Sequence, residues 1–242
     1  MRHTLLLATA ALLCTALPAF AADLMIDEPA PMMSSSYDWS GAYVGAFGGY
    51  SAGTVDWTGE FYSGPTLLGT ETGSFDIDGW LVGGTICANM QTGNFVFGVE
   101  GDIAWTNIAG EGDAIDPLDL TPSIPSTAID YLGTLRVRAG VAADSVLIYA
   151  TGGLAMAGGD ISITNLDGAG DDRTESFAAT GWTGGFGAEL ALADNVSLKA
   201  EYLYSALNTD DVNFGSAAPA TDVIINGDLG THTVKVGLNY GF

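Results

Sequence analysis

Eight charged residues have the types and the spacing to do chemistry together. They occupy alternate positions in segments that otherwise carry apolar or small side chains: Glu100, Asp102, Arg136, Arg138, Glu189, Lys199, Glu201 and Lys235. Residues two apart share one face of a β-strand, so each neighbouring pair points the same way. Enclosed together, these acids and bases either form a charged constriction that tunes ion passage or fill a narrow interior with salt bridges. We favour the salt-bridged interior, because the interior of a small eight-stranded barrel is normally just wide enough for side chains.

Other reactive side chains are scarce beyond the first 21 residues. Cys87 is the remaining cysteine and His232 the remaining histidine, so the sequence offers no disulfide framework, cysteine zinc site or histidine cluster. His232 has no identifiable nucleophile to activate. The net charge of −23 excludes binding to the phosphates of nucleic acids. We therefore expect a protein that is not an enzyme, holds no cofactor and has no dedicated metal site.

The elements that must position the eight charges are short segments with a period of two. We predict strands at 38–52, 75–90, 95–105, 128–141, 146–157, 176–190, 196–205 and 232–242. Each segment has an apolar face opposite a face of small, polar or charged residues. About ten residues of tilted strand span the hydrocarbon core of a bilayer. A charge on the lipid face would cost about 2–4 kcal/mol near the midplane, so the eight charged residues must face the interior.

Short and long connections alternate between these strands. Short turns are predicted at 91–94, 142–145 and 191–195, and long loops at 54–74, 106–127, 158–175 and 206–230. This alternation is typical of outer-membrane barrels, which have short periplasmic turns and long extracellular loops. The sequence therefore predicts an all-β fold, an eight-stranded antiparallel transmembrane up-and-down β-barrel. Closure of the barrel leaves no unpaired strand edge in lipid.

The two ends of the chain agree with export to the outer membrane. Residues 1–21 have a basic start, a short apolar run and a small-residue cleavage site, which predicts a cleaved signal peptide. Residues 22–37 are predicted to be a flexible periplasmic segment, and 38–242 to be the barrel. In the last strand, Lys235, Gly237, Tyr240 and Phe242 resemble the signal by which the barrel-assembly machinery recognises bacterial outer-membrane barrels.

Six segments resemble the strands of a known family. They are WSGAYVGAFGGY, TGNFVFGVEGD, LGTLRVRAG, TGWTGGFGAEL, LKAEYLY and HTVKVGLNYGF, and they are similar to strands of small outer-membrane proteins of alphaproteobacteria. That family is grouped with OmpA-like and porin-family barrels, and it includes major surface antigens of brucellae and hemin-binding proteins of bartonellae. The resemblance implies the same fold in the outer membrane. For hemin, His232, Tyr62 and Arg173 are the candidate contacts near the presumed outer rim, but acidic loops would repel its propionates.

Acidic residues dominate the predicted loops. They are Asp56, Glu60 and Glu71; Glu111, Asp113, Asp116 and Asp119; Asp160, Asp167, Asp171, Asp172 and Glu175; and Asp210, Asp211, Asp222 and Asp228. Carboxylates from several loops could bind a divalent cation and bridge the rim to anionic lipopolysaccharide. Because no calcium-loop spacing is present, solvated loops kept soluble by their charge are the simpler interpretation.

Two functions are left open by the sequence. The first is a structural and surface-interaction protein, a closed barrel that contacts outer-membrane lipid and lipopolysaccharide, stabilises the envelope and displays acidic loops. The alternative is a narrow, cation-preferring, porin-like passive channel whose acidic mouth concentrates cations. The two differ in whether the lumen is continuous.

Overall fold

The structure is a computed structural model that describes residues 37–113, 123–165, 173–209, 212–218 and 221–242. Nine strands account for most of these residues: β1 (Gly41–Ser63), β2 (Thr66–Thr92), β3 (Phe95–Glu111), β4 (Ser123–Ala143), β5 (Val146–Asn165), β6 (Arg173–Ala193), β7 (Val196–Thr209), β8 (Val212–Ala218) and β9 (Thr221–Gly241). Within these ranges no helix is long and apolar enough to cross a membrane. The predicted signal peptide at 1–21 and residues 22–36 of the predicted flexible segment lie outside the described residues.

Eight strands close into an antiparallel ring. Each strand from β1 to β7 pairs with its neighbour in the chain, β7 pairs with β9, and β9 pairs back with β1. The short strand β8 pairs with β9 just beyond the end of β7, because Asn208 lies opposite Asp228 and Val212 lies opposite Ile225. Strand β8 therefore continues the line of β7. The predicted eight-stranded antiparallel barrel is confirmed.

Three two-residue turns lie at the end of the barrel where β1 begins and β9 ends. Residues 93–94, 144–145 and 194–195 join β2 to β3, β4 to β5 and β6 to β7. Gly93 and Asp144 have φ angles of 60° and 50°, in the left-handed region that Gly and Asp tolerate better than most residues. The short turns therefore form where the sequence predicted them, and this end is the periplasmic end in the expected orientation.

The middle of the barrel carries its apolar side chains on the outer face. On β3 the outward residues Phe95, Phe97, Val99, Ile103 and Trp105 are between 50% and 66% exposed. The step from Phe95 to Trp105 is ten residues, which for a strand tilted by about 40° covers about 25 Å along the barrel axis. The same step separates Tyr131 from Val141 on β4. We call this zone the apolar band, and its height matches the hydrocarbon-facing surface of outer-membrane barrels.

The strands continue far beyond the apolar band, into stretches that were predicted to be long loops. Strands β1 and β2 meet in a tight turn at 64–65, so the predicted loop at 54–74 is mostly a strand hairpin. On β2 the outward residues change from Trp80 to Asp78 and Asp76, while the inward residue Ile77 is 1% exposed. The period of two persists, but the apolar face moves from the outside to the inside. The structure differs from the loop prediction because only lipid, not water, requires an apolar outer face.

A charge placed in the apolar band should destabilise the barrel, and the same charge beyond the band should not. Val137, on the outer face of β4, is 64% exposed. Val137→Arg should lower the free energy of unfolding in lipid vesicles by about 2–4 kcal/mol, whereas Ala128→Arg, on the same strand beyond the band, should change it by less than about 1 kcal/mol. Urea titration followed by tryptophan fluorescence measures both values. Equal losses would contradict the placement of the band.

Candidate functional site

The structure brings the eight predicted lumen residues together inside the ring. Strands β3 and β4 contribute two each, β7 contributes two, and β6 and β9 contribute one each: Glu100, Asp102, Arg136, Arg138, Lys199, Glu201, Glu189 and Lys235. Each of these side chains is at most 5% exposed. Their sequence neighbours, such as Val99 and Val137, point outward into the apolar band. Strand alternation is therefore what encloses the charges.

Arg136 is the centre of this lumen charge network. Its Nη2 donates to Glu100 Oε1 at 2.5 Å and to Asp102 Oδ2 at 2.7 Å. Its Nη1 donates to both oxygens of Glu201, at 2.8 and 3.0 Å, and its Nε donates to Thr134 Oγ1 at 2.9 Å. The guanidinium therefore uses its fork to hold three carboxylates at once, and charge-assisted bonds of this kind are the stronger class of hydrogen bond.

Two lysines connect the same carboxylates from the far side of the lumen. Lys199 Nζ lies 2.9 and 2.8 Å from the two oxygens of Glu100. Lys235 Nζ lies 3.1 Å from Asp102 Oδ2 and 3.4 Å from Glu201 Oε1. Lys199–Glu100 joins β7 to β3 and Lys235–Asp102 joins β9 to β3, so these two contacts cross the barrel. Lys235 and Glu201 lie opposite each other on the neighbouring strands β9 and β7.

Arg138 forms a second, smaller group near the periplasmic end. Its Nη1 donates to Glu189 Oε1 at 2.5 Å and lies 3.7 Å from Glu100 Oε2. Its Nε donates to Asn89 Oδ1 at 3.0 Å. The guanidinium also lies between two aromatic rings, 5.2 Å from the centroid of Tyr43 and 4.8 Å from that of Tyr149, which are cation–π distances.

Three further polar residues that the sequence did not single out join the network. The Tyr43 hydroxyl donates to Glu100 Oε2 at 2.5 Å, the Tyr149 hydroxyl donates to Glu201 Oε2 at 3.1 Å, and Asn89 accepts from Arg138. They lie on β1, β5 and β2, so every strand of the ring contributes a side chain. Strand alternation could have placed all three in the lumen, but it could not say which charge each one meets.

The network is electrically neutral, because it holds four acids and four bases. Each of the eight charges has an opposite charge within 4.0 Å. Among the described residues, Arg138 Nη2, Trp39 Nε1 and Asn239 Oδ1 are the buried side-chain atoms without a hydrogen-bond partner. Trp39 and Asn239 line a polar cavity of about 120 Å³ at the periplasmic end. Buried charge is tolerable here because it is paired and hydrogen-bonded.

The periplasmic mouth is covered by the residues just before β1. Trp39 is 5% exposed and packs with Val96, Leu147 and Tyr149 inside the ring. Its backbone N–H donates to Gln91 Oε1 at 2.8 Å, which ties this segment to the end of β2. Ser40 N–H donates to Asp38 Oδ1 at 2.9 Å, and this bond lowers the pKa of the Asp38 carboxyl. Residues 37–40 are therefore anchored, although the sequence placed residue 37 in a flexible segment.

Apolar side chains fill the lumen on the extracellular side of the network. Phe47, Leu81 and Ala104 form a first layer and are 3–4% exposed. A larger cluster follows where the strands leave the apolar band, and it includes Ile77, Ile108, Ile129 and Leu207, all 0–1% exposed. The charged part of the lumen thus has an apolar layer on each side.

The predicted assembly residues divide between the two faces of β9. Lys235 and Gly237 face the lumen, where a Cβ on Gly237 would come within 2.8 Å of Phe47 Cβ. Tyr240 and Phe242 face outward, are 48% and 82% exposed, and have ring centroids 5.4 Å apart. Lys235 and Gly237 therefore have packing roles inside the barrel, and Tyr240 and Phe242 are the two that a partner could contact.

The candidate hemin contacts do not come together in one site. His232 lies on the outer face, where its Nδ1 is 2.7 Å from the Tyr202 hydroxyl and its ring is 5.1 Å from that of Tyr204. Tyr62 lies near the far end of β1 and donates to Glu60 Oε2 at 2.7 Å. In the β1–β9 pairing His232 is opposite Ala52, ten residues from Tyr62, which is about 33 Å along the strand.

Of the acidic residues predicted in loops, those that the structure describes lie largely on strands. Asp56, Asp160, Glu175 and Asp228 are on β1, β5, β6 and β9, and Asp56 lies opposite Asp228 in the β1–β9 pairing. In the described ranges, no three acidic, histidine or cysteine residues form a group that could hold a metal ion. Asp116, Asp119, Asp167, Asp171, Asp172, Asp210 and Asp211 lie outside the described residues.

A closed ring of strands with an outer apolar band and buried lumen charges defines a transmembrane barrel of the bacterial outer membrane. Comparison with known proteins agrees. Residues 7–242 match the family described as outer membrane protein beta-barrel domain. The chain belongs to this family, and its location is the bacterial outer membrane.

The relatives that match along the chain are proteins of Gram-negative bacteria. The chain is 32% identical to the 31 kDa outer-membrane immunogenic protein of Brucella melitensis over 256 residues, covering 100% of both chains. It is 25% identical to the 22 kDa outer membrane protein of Rhizobium leguminosarum, covering 84% of this chain and 78% of that protein. The crystal structure of OprG from Pseudomonas aeruginosa has the same fold, with a TM-score of 0.56, 15% identity, and coverage of 86% and 98%.

Removing one member of a buried pair should cost more than removing both. Arg138→Met leaves Glu189 with Ser197 Oγ, at 3.3 Å, as its remaining polar contact, so it should lower the free energy of unfolding by about 3–5 kcal/mol. The double variant Arg138→Met, Glu189→Gln should be more stable than Arg138→Met alone, because no unpaired charge remains. Urea titration in lipid vesicles measures both, with exposed Glu175→Gln as the control. A double variant less stable than Arg138→Met would contradict the pairing.

Proposed function

We propose that this protein is a closed barrel that stabilises the outer membrane and presents an acidic surface outside it. The observation that carries the proposal is the filling of the lumen. A neutral salt-bridge network lies between Trp39 on the periplasmic side and apolar layers on the extracellular side. The interior of an eight-stranded barrel is only just wide enough for side chains, so these groups occupy the space that a pore would need.

The chemistry of the lumen also favours a closed barrel. A conducting pore binds ions at sites weak enough for them to leave, and it keeps water along the path. In this lumen Arg136 holds three carboxylates and Lys199 holds both oxygens of Glu100, so the charges satisfy one another. Ile108 and Leu207 then offer a passing ion no polar partner.

The surface role is supported by the strand segments beyond the apolar band. Their outward side chains include Asp56, Asp76, Asp160 and Asp228, and their inward side chains are apolar. The brucella relatives are named as immunogenic outer-membrane proteins, which supports exposure of this part at the cell surface. We propose that it meets lipopolysaccharide and external partners, with divalent cations shared between these acids and lipid phosphates.

The proposed role is not enzymatic. His232 is the histidine of the barrel, and its described contacts are with the rings of Tyr202 and Tyr204 on the outer face. A general base needs a nucleophile within hydrogen-bond reach, and a tyrosine hydroxyl at the membrane surface has no cleft for a substrate around it.

A cation-preferring channel is the second candidate, favoured by the acidic residues around the extracellular half. Single-channel recording in a planar bilayer separates the two functions. We expect no conductance steps from the refolded mature protein, and none from Glu100→Gln, Asp102→Asn, because the apolar cluster around Ile108 remains in place.

The recording needs two controls. A heat-dependent gel shift shows that the added protein is folded, and a porin added to the same bilayer shows that channels can be detected. Reproducible cation-selective steps that shrink when Glu100 and Asp102 are neutralised would replace the closed barrel with the channel.

We also propose that Tyr240, near the end of β9, and Phe242, which follows β9, are the residues that the barrel-assembly machinery recognises. Phe242→Ala should lower the amount of assembled barrel in expressing cells several-fold, without changing the urea midpoint of the refolded protein, since its ring is 82% exposed. Phe97→Ala, another outward aromatic at 50% exposure, is the matched control and should assemble normally. Normal assembly of Phe242→Ala would exclude this role.

A further inference from the structure

The extracellular half of the barrel contains an apolar cavity that the closed-barrel function does not use. The cavity has a volume of about 50 Å³ and is partly open. Its walls expose almost no polar atoms and include Val55, Trp57, Phe75, Ile161 and Phe177. The buried cluster that includes Ile77, Ile108 and Ile129 packs beneath several of these side chains. The inner end of the cavity is therefore closed by apolar side chains, and the cavity is not part of a channel.

The cavity lies outside the hydrocarbon of the membrane. Val55 and Trp57 are five and seven residues beyond Tyr50, which ends the apolar band on β1. At about 2.5 Å of axial rise per residue, they lie about 12–18 Å outside the band. Dry apolar cavities in proteins bind apolar ligands, since water gains no hydrogen bonds there. Because the cavity lies on the extracellular side of the apolar band, a molecule from outside the cell can reach it.

The volume limits what can enter. A cavity of about 150 Å³ holds benzene, so a cavity of about 50 Å³ takes two or three methylene groups and not a whole ring. A slim alkyl end fits this description, with the rest of the molecule remaining outside. Each methylene group that enters should raise the affinity about fourfold.

The charged residues around the cavity determine which head groups the ligand can carry. Asp228 lies at the cavity itself, and Asp56, Asp160 and Glu175 lie on the same strand segments. Arg173 is the one basic residue that the structure describes beyond the apolar band. The potential is therefore negative, so a cationic or neutral head group is favoured and an anionic one is repelled.

We propose that this cavity binds the alkyl end of small amphiphiles with a cationic or neutral head group. The proposal goes beyond the closed-barrel function and does not depend on it, because the cavity lies on the far side of the apolar cluster from the charge network. A silent bilayer and an empty cavity are separate outcomes that separate experiments detect.

The test uses the refolded protein in lipid nanodiscs with labelled isoleucine methyl groups and short, water-soluble probes. Hexyltrimethylammonium and hexanol should give saturable NMR shifts at Ile161, Ile163 and Ile225, which line the cavity. Hexanesulfonate should bind about tenfold more weakly because of the acidic surroundings. Ile86 and Ile148, at 64% and 65% exposure on the lipid face, report membrane partition and should shift without saturating.

Variants at the cavity distinguish binding from partition. Val55→Phe fills the space and should abolish the saturable shifts, while Val55→Ala enlarges it by about two methyl groups and should bind hexyltrimethylammonium several-fold more tightly, because more of the alkyl end can enter. Asp228→Asn keeps an acceptor for Asn208, whose Nδ2 is 2.6 Å from Asp228 Oδ1, and should reduce the preference for the cationic probe over hexanesulfonate. The proposal is overturned if the cavity isoleucines do not saturate, or if hexanesulfonate binds the wild type as tightly as hexyltrimethylammonium.

Discussion

The change of medium along each strand is the constraint on which the rest of the structure depends. In hydrocarbon the outer face must be apolar and every backbone group must be paired within the wall, which a closed ring achieves. In water the outer face is polar instead, because the hydrophobic effect drives apolar side chains into the interior of the barrel. On β2 the change takes place between Trp80 and Asp78, two outward neighbours. On β1 the Tyr50 hydroxyl donates to the Asp78 carboxylate at the same level. Within one strand, the alternating pattern therefore continues while its apolar residues change from the outer face to the inner face.

The lumen charge network lies in the part of the barrel that lipid surrounds, where charged side chains can only face inward. Buried ion pairs often add little net stability compared with apolar side chains of the same size. A slip of one residue in strand register, however, would turn a charge such as Arg136 or Glu201 into lipid. Contacts such as Lys235 with Asp102 join strands on opposite sides of the ring. We therefore regard the network chiefly as a device that fixes register and closure, and its neutrality as the condition for burying it.

Much of the fold was predictable from the sequence, and the limits have physical causes. The turns and the inward charges followed from strand periodicity and from the cost of charge in lipid. The partners on non-neighbouring strands did not, because the tilt and stagger of the ring bring Arg136 to Glu201 and Tyr149 to Glu201. The packing of Trp39 into the periplasmic mouth was not predicted, because 38–52 was taken as one strand, whereas β1 begins at Gly41. The strand segments beyond the band were predicted as loops because their outer faces are polar, and polar residues are also typical of loops.

The order of layers in the lumen is the reverse of what a pore requires. A pore keeps polar groups along its whole path, whereas the described part of the lumen is charged only where lipid surrounds the wall. Beyond the band, residues such as Trp57, Phe75 and Ile129 pack as the core of a soluble barrel does. This packing is needed because, outside lipid, the hydrophobic effect is what holds long strands together above the membrane. The same side chains that extend the barrel into the surroundings therefore also fill its lumen, and this filling is the physical ground for proposing a closed barrel rather than a pore.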